Sequence, residues 1–234
     1  MNIQYLHQWT VTPKEAVQIQ NDLCKLVILE DDPGLVNISK VAGVDNAYIR
    51  EGNQTYTCAA VVILSYPSLE MVETQYAMIR NQFPYVPGLL SFREAPAILA
   101  AFGEINNEPD LILLDGQGYA HPRRMGLASH LGLFLDRPTI GCAKSRLIGE
   151  YQEPAQVLGE YEPLLDSSTR EQIGSVLRTR PFYKPLFVSP GHKVSIITAT
   201  RLAMACAREN HFLPEPVRLA HQYVTKYARS RRFN

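Results

Sequence analysis

The sequence predicts an α/β protein with a mixed sheet, in which three antiparallel strands come first and parallel strands that alternate with helices follow. Residues 40–49, 55–65 and 70–79 are β-rich and are separated by Gly-Asn and Pro-Ser turn signals, which indicate an antiparallel meander. Beyond them, short unbroken apolar runs alternate with helical segments, a pattern typical of strands buried on both faces. At 234 residues the chain is long enough for one sizeable domain, which we expect to span residues 1–234.

A helix is expected before the first strand. Thr12 and Glu15 form a capping-box pattern, and Pro13 occupies the first helical position. The apolar residues that follow predict that this helix continues to Val27. A second helix is predicted after the meander, over residues 92–102.

The central part of the chain predicts two parallel strands joined by a helix. Four consecutive aliphatic residues at 111–114 follow Pro109, so residues 111–115 are predicted to form a central strand buried on both faces. A helix over residues 126–135 and a fifth strand over residues 138–143 come next, and Lys144 ends that strand.

The C-terminal third is less regular. The polar stretch at residues 149–180 is predicted to be a peripheral insertion with a hairpin that ends in residues 173–180. Two helices, over residues 194–209 and about 216–229, complete the predicted order, and we find no internal repeat.

Three acidic residues lie at the boundaries between predicted secondary-structure elements. Asp45 follows the apolar-leaning run 41–44, Asp115 ends the run 111–114, and Glu94 opens the helix after the meander. Ligand sites in open α/β sheets lie beyond the carboxyl ends of such strands. Carboxylate oxygens are hard ligands suited to Mg²⁺, with Mn²⁺ as a substitute, so we expect Asp45, Asp115 and Glu94 to form a metal site. Asp45 and Asp115 are the first-choice ligands, and Glu94 would either bind the metal directly or hold a metal-bound water.

A stiff aromatic turn lies just before Glu94. Pro84 and Pro87 fix their own backbone angles and push the residues before them, including Val86, toward extended conformations. The ring of Tyr85 is therefore held in one direction and loses little entropy when it stacks on a flat partner. Taken alone, the pattern favours a tyrosine that packs over the edge of the core, and the adjoining stretch from Gly88 to Glu94 shifts the balance toward a binding role.

Composition limits the other classes of function. The 23 basic and 23 acidic residues cancel, which is mild evidence against long-range capture of nucleic acid, although Arg123, Arg124, Lys144 and Arg146 cluster in sequence near the predicted site. The four scattered cysteines predict no zinc site and fit a reducing, cytoplasmic compartment. No signal peptide and no membrane-length apolar run is seen. The basic tail ends in residues expected to be solvated: Lys226, Arg229, Arg231 and Arg232.

Several motifs, in order from about residue 12 to residue 228, resemble the endonuclease V (deoxyinosine 3′-endonuclease) family. The matching words are Val44-Asp45, Pro84-Tyr85-Val86-Pro87-Gly88, Phe92-Arg93-Glu94-Ala95-Pro96, Asp115-Gly116-Gln117-Gly118, His121-Pro122-Arg123, Gly126-Leu127-Ala128, Gly141-Cys142-Ala143-Lys144-Ser145, Ser189-Pro190-Gly191-His192 and the stretch from Leu213 to His221. The resemblance implies a ribonuclease H-like fold. Its acids come from the first strand, the helix after the meander and the next strand, which are the positions of Asp45, Glu94 and Asp115.

The resemblance also implies a reaction and a set of roles. Proteins of this kind are metal-dependent DNA-repair endonucleases that nick the strand one nucleotide beyond the 3′ side of a deaminated base and leave 3′-OH and 5′-phosphate ends. Asp45, Glu94 and Asp115 would be catalytic, His221 would position water or bind a second metal, and Lys144 would contact the scissile phosphate. The turn residues Tyr85, Pro84, Val86 and Pro87 would enter the DNA, with His121 on a phosphate. The extruded base would enter a pocket lined by Gly88, Leu90, Gly116, Gly126 and Leu127.

Other interpretations remain open at this point. A different ribonuclease H-like nuclease would cut branched DNA without a lesion, and a non-catalytic protein would bind damaged nucleic acid without nicking it. Some relatives prefer inosine in RNA, and the sequence does not decide between RNA and DNA. We expect a monomer whose partner is DNA with deaminated bases or inosine-containing RNA. His192, which is predicted to begin a helix, fits either a phosphate contact or a simple cap.

Overall fold

The computed structural model describes residues 1–209 and 211–231, and these form eight strands and five α-helices. The strands are β1 (Lys40–Glu51), β2 (Gln54–Ser65), β3 (Met71–Arg80), β4 (Leu111–Leu114), β5 (Thr139–Ala143), β6 (Tyr161–Leu165), β7 (Gln172–Leu177) and β8 (Leu186–His192). The helices are α1 (Pro13–Leu23), α2 (Ser91–Gly103), α3 (Leu127–Leu135), α4 (Ile196–Ala205) and α5 (Glu215–Ser230), with 3₁₀ turns at Cys24–Leu26 and Pro33–Asn37.

All eight strands belong to one sheet in the order β3-β2-β1-β4-β5-β8-β7-β6. The first three strands pair antiparallel, and β4 and β5 run parallel to β1. This arrangement confirms the predicted mixed sheet. Since β1, β4 and β5 are parallel neighbours, their carboxyl ends meet at one edge.

Helices cover both faces of the central strands. Leu111 and Leu113 of β4 face the side of α4 and α5, whereas Ile112 and Leu114 face α2 and α3. All four leucine and isoleucine side chains are fully buried. A strand enclosed on both faces requires a continuous apolar run, which is why the local sequence predicted β4 well.

The structure corrects two helix boundaries and adds a strand. α1 ends at Leu23 rather than Val27, and α4 spans Ile196–Ala205 rather than 194–209. The added strand is β8, which contains Ser-Pro-Gly, a combination that normally marks a turn. Pro190 is tolerated inside this buried strand because the β5–β8 register shifts beside it.

The stretch at 149–180 contains the hairpin of β6 and β7. β7 pairs with β8, so the hairpin continues the main sheet and β6 forms its far edge. Within the described residues, no helix is long and apolar enough to cross a membrane. Of the basic tail, Lys226 and Arg229 are exposed on α5, and Arg232 lies outside the described residues.

Candidate active site

Asp45 and Asp115 meet at the carboxyl edge of the sheet. The pairing of β1 with β4 ends at Val44 and Leu114, and the next residue of each strand is an aspartate. The backbone N–H of Asp115 donates to the carbonyl of Val44 at 3.1 Å, which holds the two strands together at this point. Together with His221, each aspartate offers a ligand atom in a group whose members all lie within 4.8 Å of one another.

His221 reaches this group because α5 lies directly on β1. A Cβ added at Gly43 would stand 1.9 Å from the carbonyl oxygen of Pro216, so only glycine permits this approach. About one and a half helical turns further along α5, His221 Nδ1 lies 2.6 Å from Asp45 Oδ2. Gly43 and Asp45 are two residues apart and share the α5 face of the strand.

Glu94 approaches from α2, on the other face of the sheet. Its Oε1 accepts a hydrogen bond from the hydroxyl of Tyr48 at 2.6 Å. The group of ligand atoms within 4.8 Å consists of Asp45, Asp115 and His221, and Glu94 is not part of it. Glu94 is buried and lines the same cleft as the two aspartates, so a direct or water-mediated role at the metal stays a prediction.

Burial and mutual repulsion perturb the acids. Desolvation, with the charge of Asp115 second, raises the pKa of Asp45 to about 6. Desolvation also raises the pKa of Glu94 to about 7, with further contributions from Asp45 and Asp115, against the hydrogen bond from Tyr48. Carboxyls that repel one another in a desolvated site hold their protons unless a cation joins them. The site therefore favours positive charge.

Lys144 supplies one such charge in the described structure. It follows β5 directly, and its Nζ donates to Asp115 Oδ2 in an ion pair. β5 is the parallel neighbour of β4, which brings the ends of the two strands side by side. The ammonium group therefore lies beside the aspartate pair, about one-third exposed.

A cleft of about 510 Å³ opens over these residues. All five residues predicted for the base pocket line it, namely Gly88, Leu90, Gly116, Gly126 and Leu127. Its wall also includes three of the four turn residues, Tyr85, Val86 and Pro87, whereas Pro84 is exposed outside it. Asp45, Glu94, Asp115 and Lys144 line the same cleft. A pocket and an acid cluster are thus parts of one cavity.

A family model for Endonuclease V matches residues 21–222. The chain belongs to the endonuclease V family. An endonuclease V from Gloeobacter violaceus is 44% identical over 227 residues, which cover 97% of this chain and 90% of that protein. This result confirms the resemblance and identifies the chain as an endonuclease, a hydrolase.

Solved structures of family members share the fold. The Bacillus subtilis endonuclease V has a TM-score of 0.91 and 32% identity, and the match covers 98% of this chain and all of that one. The Ciona intestinalis endonuclease V, solved with a 24-mer DNA containing an inosine followed by a ribo-adenosine, has a TM-score of 0.81 and 27% identity, with 93% and 98% coverage. The ribonuclease H-like mixed sheet is confirmed.

The aromatic turn of this endonuclease V is anchored through one carbonyl. Gly88, at φ +76, presents its carbonyl oxygen to Gln20 Nε2 at 3.1 Å, to Arg123 Nη2 at 2.7 Å and to the ring of His121 at 3.0 Å. Tyr85, three residues earlier, is 71% exposed. The base of the turn is therefore fixed while the ring faces solvent, so the alternative in which Tyr85 packs over the core edge is wrong.

His121, predicted to contact phosphate, and His192, for which a phosphate contact was one of two alternatives, are both buried. His121 bonds Gly88 through Nε2 and accepts from the N–H of Arg123 through Nδ1, so neither ring nitrogen is free for a phosphate. Burial, with the charge of Arg123 second, lowers its pKa to about 4. His192 ends β8 in a buried position, where its Nδ1 accepts from the N–H of Ile28. Both rings are therefore engaged inside the protein, and His192 ends a strand rather than beginning a helix. A phosphate contact by His121 stays a prediction.

The basic residues clustered in sequence are also engaged within the protein. Arg123 donates to Gln20 and Gly88, and Arg124 pairs with Asp166 and Glu171. Arg146 donates to the carbonyl of Gly149. These guanidinium groups fasten loops around the cleft.

Three residues of the site were missed from the sequence. Gln20 on α1 is buried, lines the cleft and anchors Gly88. Tyr48 holds Glu94, and the side-chain oxygen of Asn46 is buried without a hydrogen-bond partner among the described residues. Asn46 and Tyr48 alternate with Asp45 along β1, so their position just after the first acid was the available signal.

Proposed function

We propose that this protein recognises a deaminated base, inosine above all, in DNA and hydrolyses the phosphodiester bond one nucleotide beyond its 3′ side. The products would carry 3′-OH and 5′-phosphate ends. The single observation that carries this proposal is the cleft that joins a base-sized pocket, an exposed tyrosine and a cluster of acids. The inosine-containing DNA bound by the Ciona intestinalis relative supports the choice of substrate.

A divalent cation, Mg²⁺ with Mn²⁺ as a substitute, fits the residues at the sheet edge. Asp45 and Asp115 offer hard oxygen ligands within 4.8 Å of each other, and the unpartnered oxygen of Asn46 lies on the residue next to Asp45. Burial first, and repulsion from the neighbouring carboxylates after it, raise the pKa of Asp45 and of Glu94 although Lys144 lies beside Asp115. When bound, the ion would supply Lewis acidity and neutralise charge on the phosphate.

The chain's own residues would orient the attack. The bond from Asp45 Oδ2 to His221 Nδ1 sets the direction of the imidazole, which leaves Nε2 to hold or accept a proton from water. His221 is half exposed, so water can reach its ring. Lys144 faces the same cleft and would stabilise the charge that develops on the phosphate. Glu94, held by Tyr48, would position water through its second oxygen.

The pocket would receive the base once it leaves the helix. Tyr85 on its anchored turn would fill the vacated space and stack on the neighbouring bases. Gly88, Leu90, Gly116, Gly126 and Leu127 present main-chain groups and small or aliphatic side chains to the cleft. Hypoxanthine has an N1–H donor and an O6 acceptor, which main-chain carbonyl and N–H groups can recognise.

The test uses matched oligonucleotides with and without one inosine, made as DNA and as RNA and incubated with and without Mg²⁺. We expect a single Mg²⁺-dependent nick in inosine DNA, at the second phosphodiester bond 3′ of the lesion. Asp115→Asn should reduce this nick by at least about 100-fold while lesion binding persists. Preferred nicking of inosine RNA would replace DNA as the substrate. Cutting of lesion-free branched DNA, or tight lesion binding without any nick when Mg²⁺ is supplied, would refute the proposal.

A further inference from the structure

An exposed aromatic segment that the proposed reaction does not use connects β7 to β8. It consists of Arg180, Pro181, Phe182, Tyr183 and Lys184, all exposed, and is called segment 180–184 below. Phe182 is 88% exposed and has φ +57, a left-handed conformation that is costly for an aromatic residue. The exposed ring of Phe182 buries almost no apolar surface within the protein, so it contributes little to the stability of the fold. Its exposure therefore points to a binding partner.

The segment is rigidly supported by the buried side chain of Arg178. Its guanidinium donates to the carbonyls of Pro154 at 2.9 Å and Ala155 at 3.3 Å, and also to the carbonyl of Tyr183. It pairs with Glu153 at 2.6 Å. Two loops, residues 153–160 and segment 180–184, are thus joined through one cation, so the exposed ring is presented in a fixed place.

The segment leaves the sheet at the edge that carries the active site. Ala143 of β5 pairs with Phe187 of β8, and Leu177 of β7 pairs with Leu186 of β8. Lys144 follows Ala143 directly. The connection from β7 to β8 therefore emerges beside the strand that delivers Lys144 to the cleft.

The chemistry of the segment fits nucleic acid. Arg180 and Lys184 flank the two aromatic residues, and the guanidinium of Arg180 lies 5.3 Å from the ring centroid of Tyr183. The ring of Tyr183 packs against the ring of Phe212 at a centroid distance of 5.0 Å, whereas the ring of Phe182 is exposed to solvent. A free aromatic ring between two cations can stack on an unpaired base while the cations meet its phosphates. Bases within a duplex do not offer their faces in this way.

We propose that segment 180–184 binds an unpaired stretch of the substrate strand next to the cleaved bond, with Phe182 stacked on a base. This inference rests on the proposed function for its substrate, since a strand bound in the cleft would continue past Lys144. The partner is therefore a single-stranded flank rather than a second protein.

The experiment compares Phe182→Ala with wild type on three inosine DNAs: a full duplex, and duplexes whose lesion strand is unpaired on the 5′ side or on the 3′ side. Tyr5→Ala is the matched control, because Tyr5 is a similarly exposed aromatic residue at 76% and its neighbour Gln4 pairs with Phe134, near the end of α3. For one unpaired flank we expect KM to rise at least about fivefold in Phe182→Ala, on the scale of base–aromatic stacking. The duplex KM and all kcat values should stay unchanged, and Phe182→Trp should restore binding.

Equal KM values for wild type and Phe182→Ala on every substrate would overturn the inference and leave a protein partner as the explanation of the surface. An equal loss on the full duplex would also overturn it. Fluorescence anisotropy with an undamaged, labelled single strand separates this inference from the proposed function. Suppose that the wild-type protein nicks no inosine substrate, but that Phe182→Ala binds the undamaged strand more weakly than wild type does. The assignment of segment 180–184 then stands while the proposed reaction fails.

Discussion

His221 Nδ1 and Asp45 Oδ2 lie 2.6 Å apart, although 176 residues separate them in the chain. The contact depends on the close approach of α5 to β1 at Gly43. It joins the last helix to the first strand at the point where the acids meet, and it fixes the orientation of the imidazole relative to Asp45.

Replacing His221 with Ala should lower kcat for inosine DNA by about 100-fold or more, the scale of a lost proton-transfer group. Binding of the lesion should change little, because His221 does not line the base pocket. Single-turnover nicking and anisotropy measure the two effects. Gln222→Ala, at the next exposed position of α5, is the control, and equal losses in both variants would show that the helix rather than the imidazole matters.

Replacing Gly43 with Ala should displace α5. The new Cβ would lie 1.9 Å from the carbonyl of Pro216, so the helix must shift away and carry His221 from Asp45. We expect a loss of about 1–3 kcal/mol in the free energy of unfolding, typical of overpacking, together with reduced nicking. Gly103→Ala is the matched control, because a Cβ there meets nothing within 4 Å at the end of α2. Native stability and activity in Gly43→Ala would mean that the helix contact is not required.

The stability of the metal-free protein should respond to Glu94 in a defined pH range. Its pKa rises from 4.5 to about 7 on folding, with burial as the main cause. A carboxyl with a raised pKa binds its proton more tightly in the folded chain, so its stabilising contribution is present below pH 4.5 and is lost as the pH rises through about 7.

Glu94→Gln removes this titration. In EDTA, the variant should gain stability relative to wild type as the pH rises from about 4.5 to 7, reaching on the order of 1–3 kcal/mol at pH 8. Urea unfolding at pH 5 and pH 8 measures the difference. Glu51→Gln, at the exposed end of β1, serves as the control. A difference between Glu94→Gln and wild type that does not change with pH would contradict the assigned burial of this carboxyl.

Replacing Tyr85 with Ala should weaken binding of inosine DNA by about 1–3 kcal/mol, the contribution of an aromatic ring stacked on a base. Because the ring is 71% exposed and the turn is anchored at Gly88, the melting temperature should not change. Tyr85→Phe should keep most of the affinity, since it retains the ring. Equal affinities for all three proteins would show that the ring does not enter the DNA.

Local sequence predicted those parts of the site that depend on local physics. The unbroken apolar run of β4 and the apolar run before Asp45 predicted both strands. The rule that ligand sites lie at the carboxyl edge of a parallel sheet predicted where the two aspartates meet. The two prolines around Tyr85 gave a stiff turn with an exposed ring. These signals depend only on residues that are close together in the chain, so they can be recognised without a structure.

Packing between distant segments decided the rest. Only the docked helix α5 shows that His221 meets Asp45, and only the fold shows that the hydroxyl of Tyr48 donates to Glu94. The sequence motif around His121 suggested a phosphate contact, but in the structure its ring bonds the carbonyl of Gly88. The periodicity and turn chemistry of a chain determine which elements form and where they end. Which side chains across the sheet share a proton, a ligand or a hydrogen bond depends on how closely those elements pack.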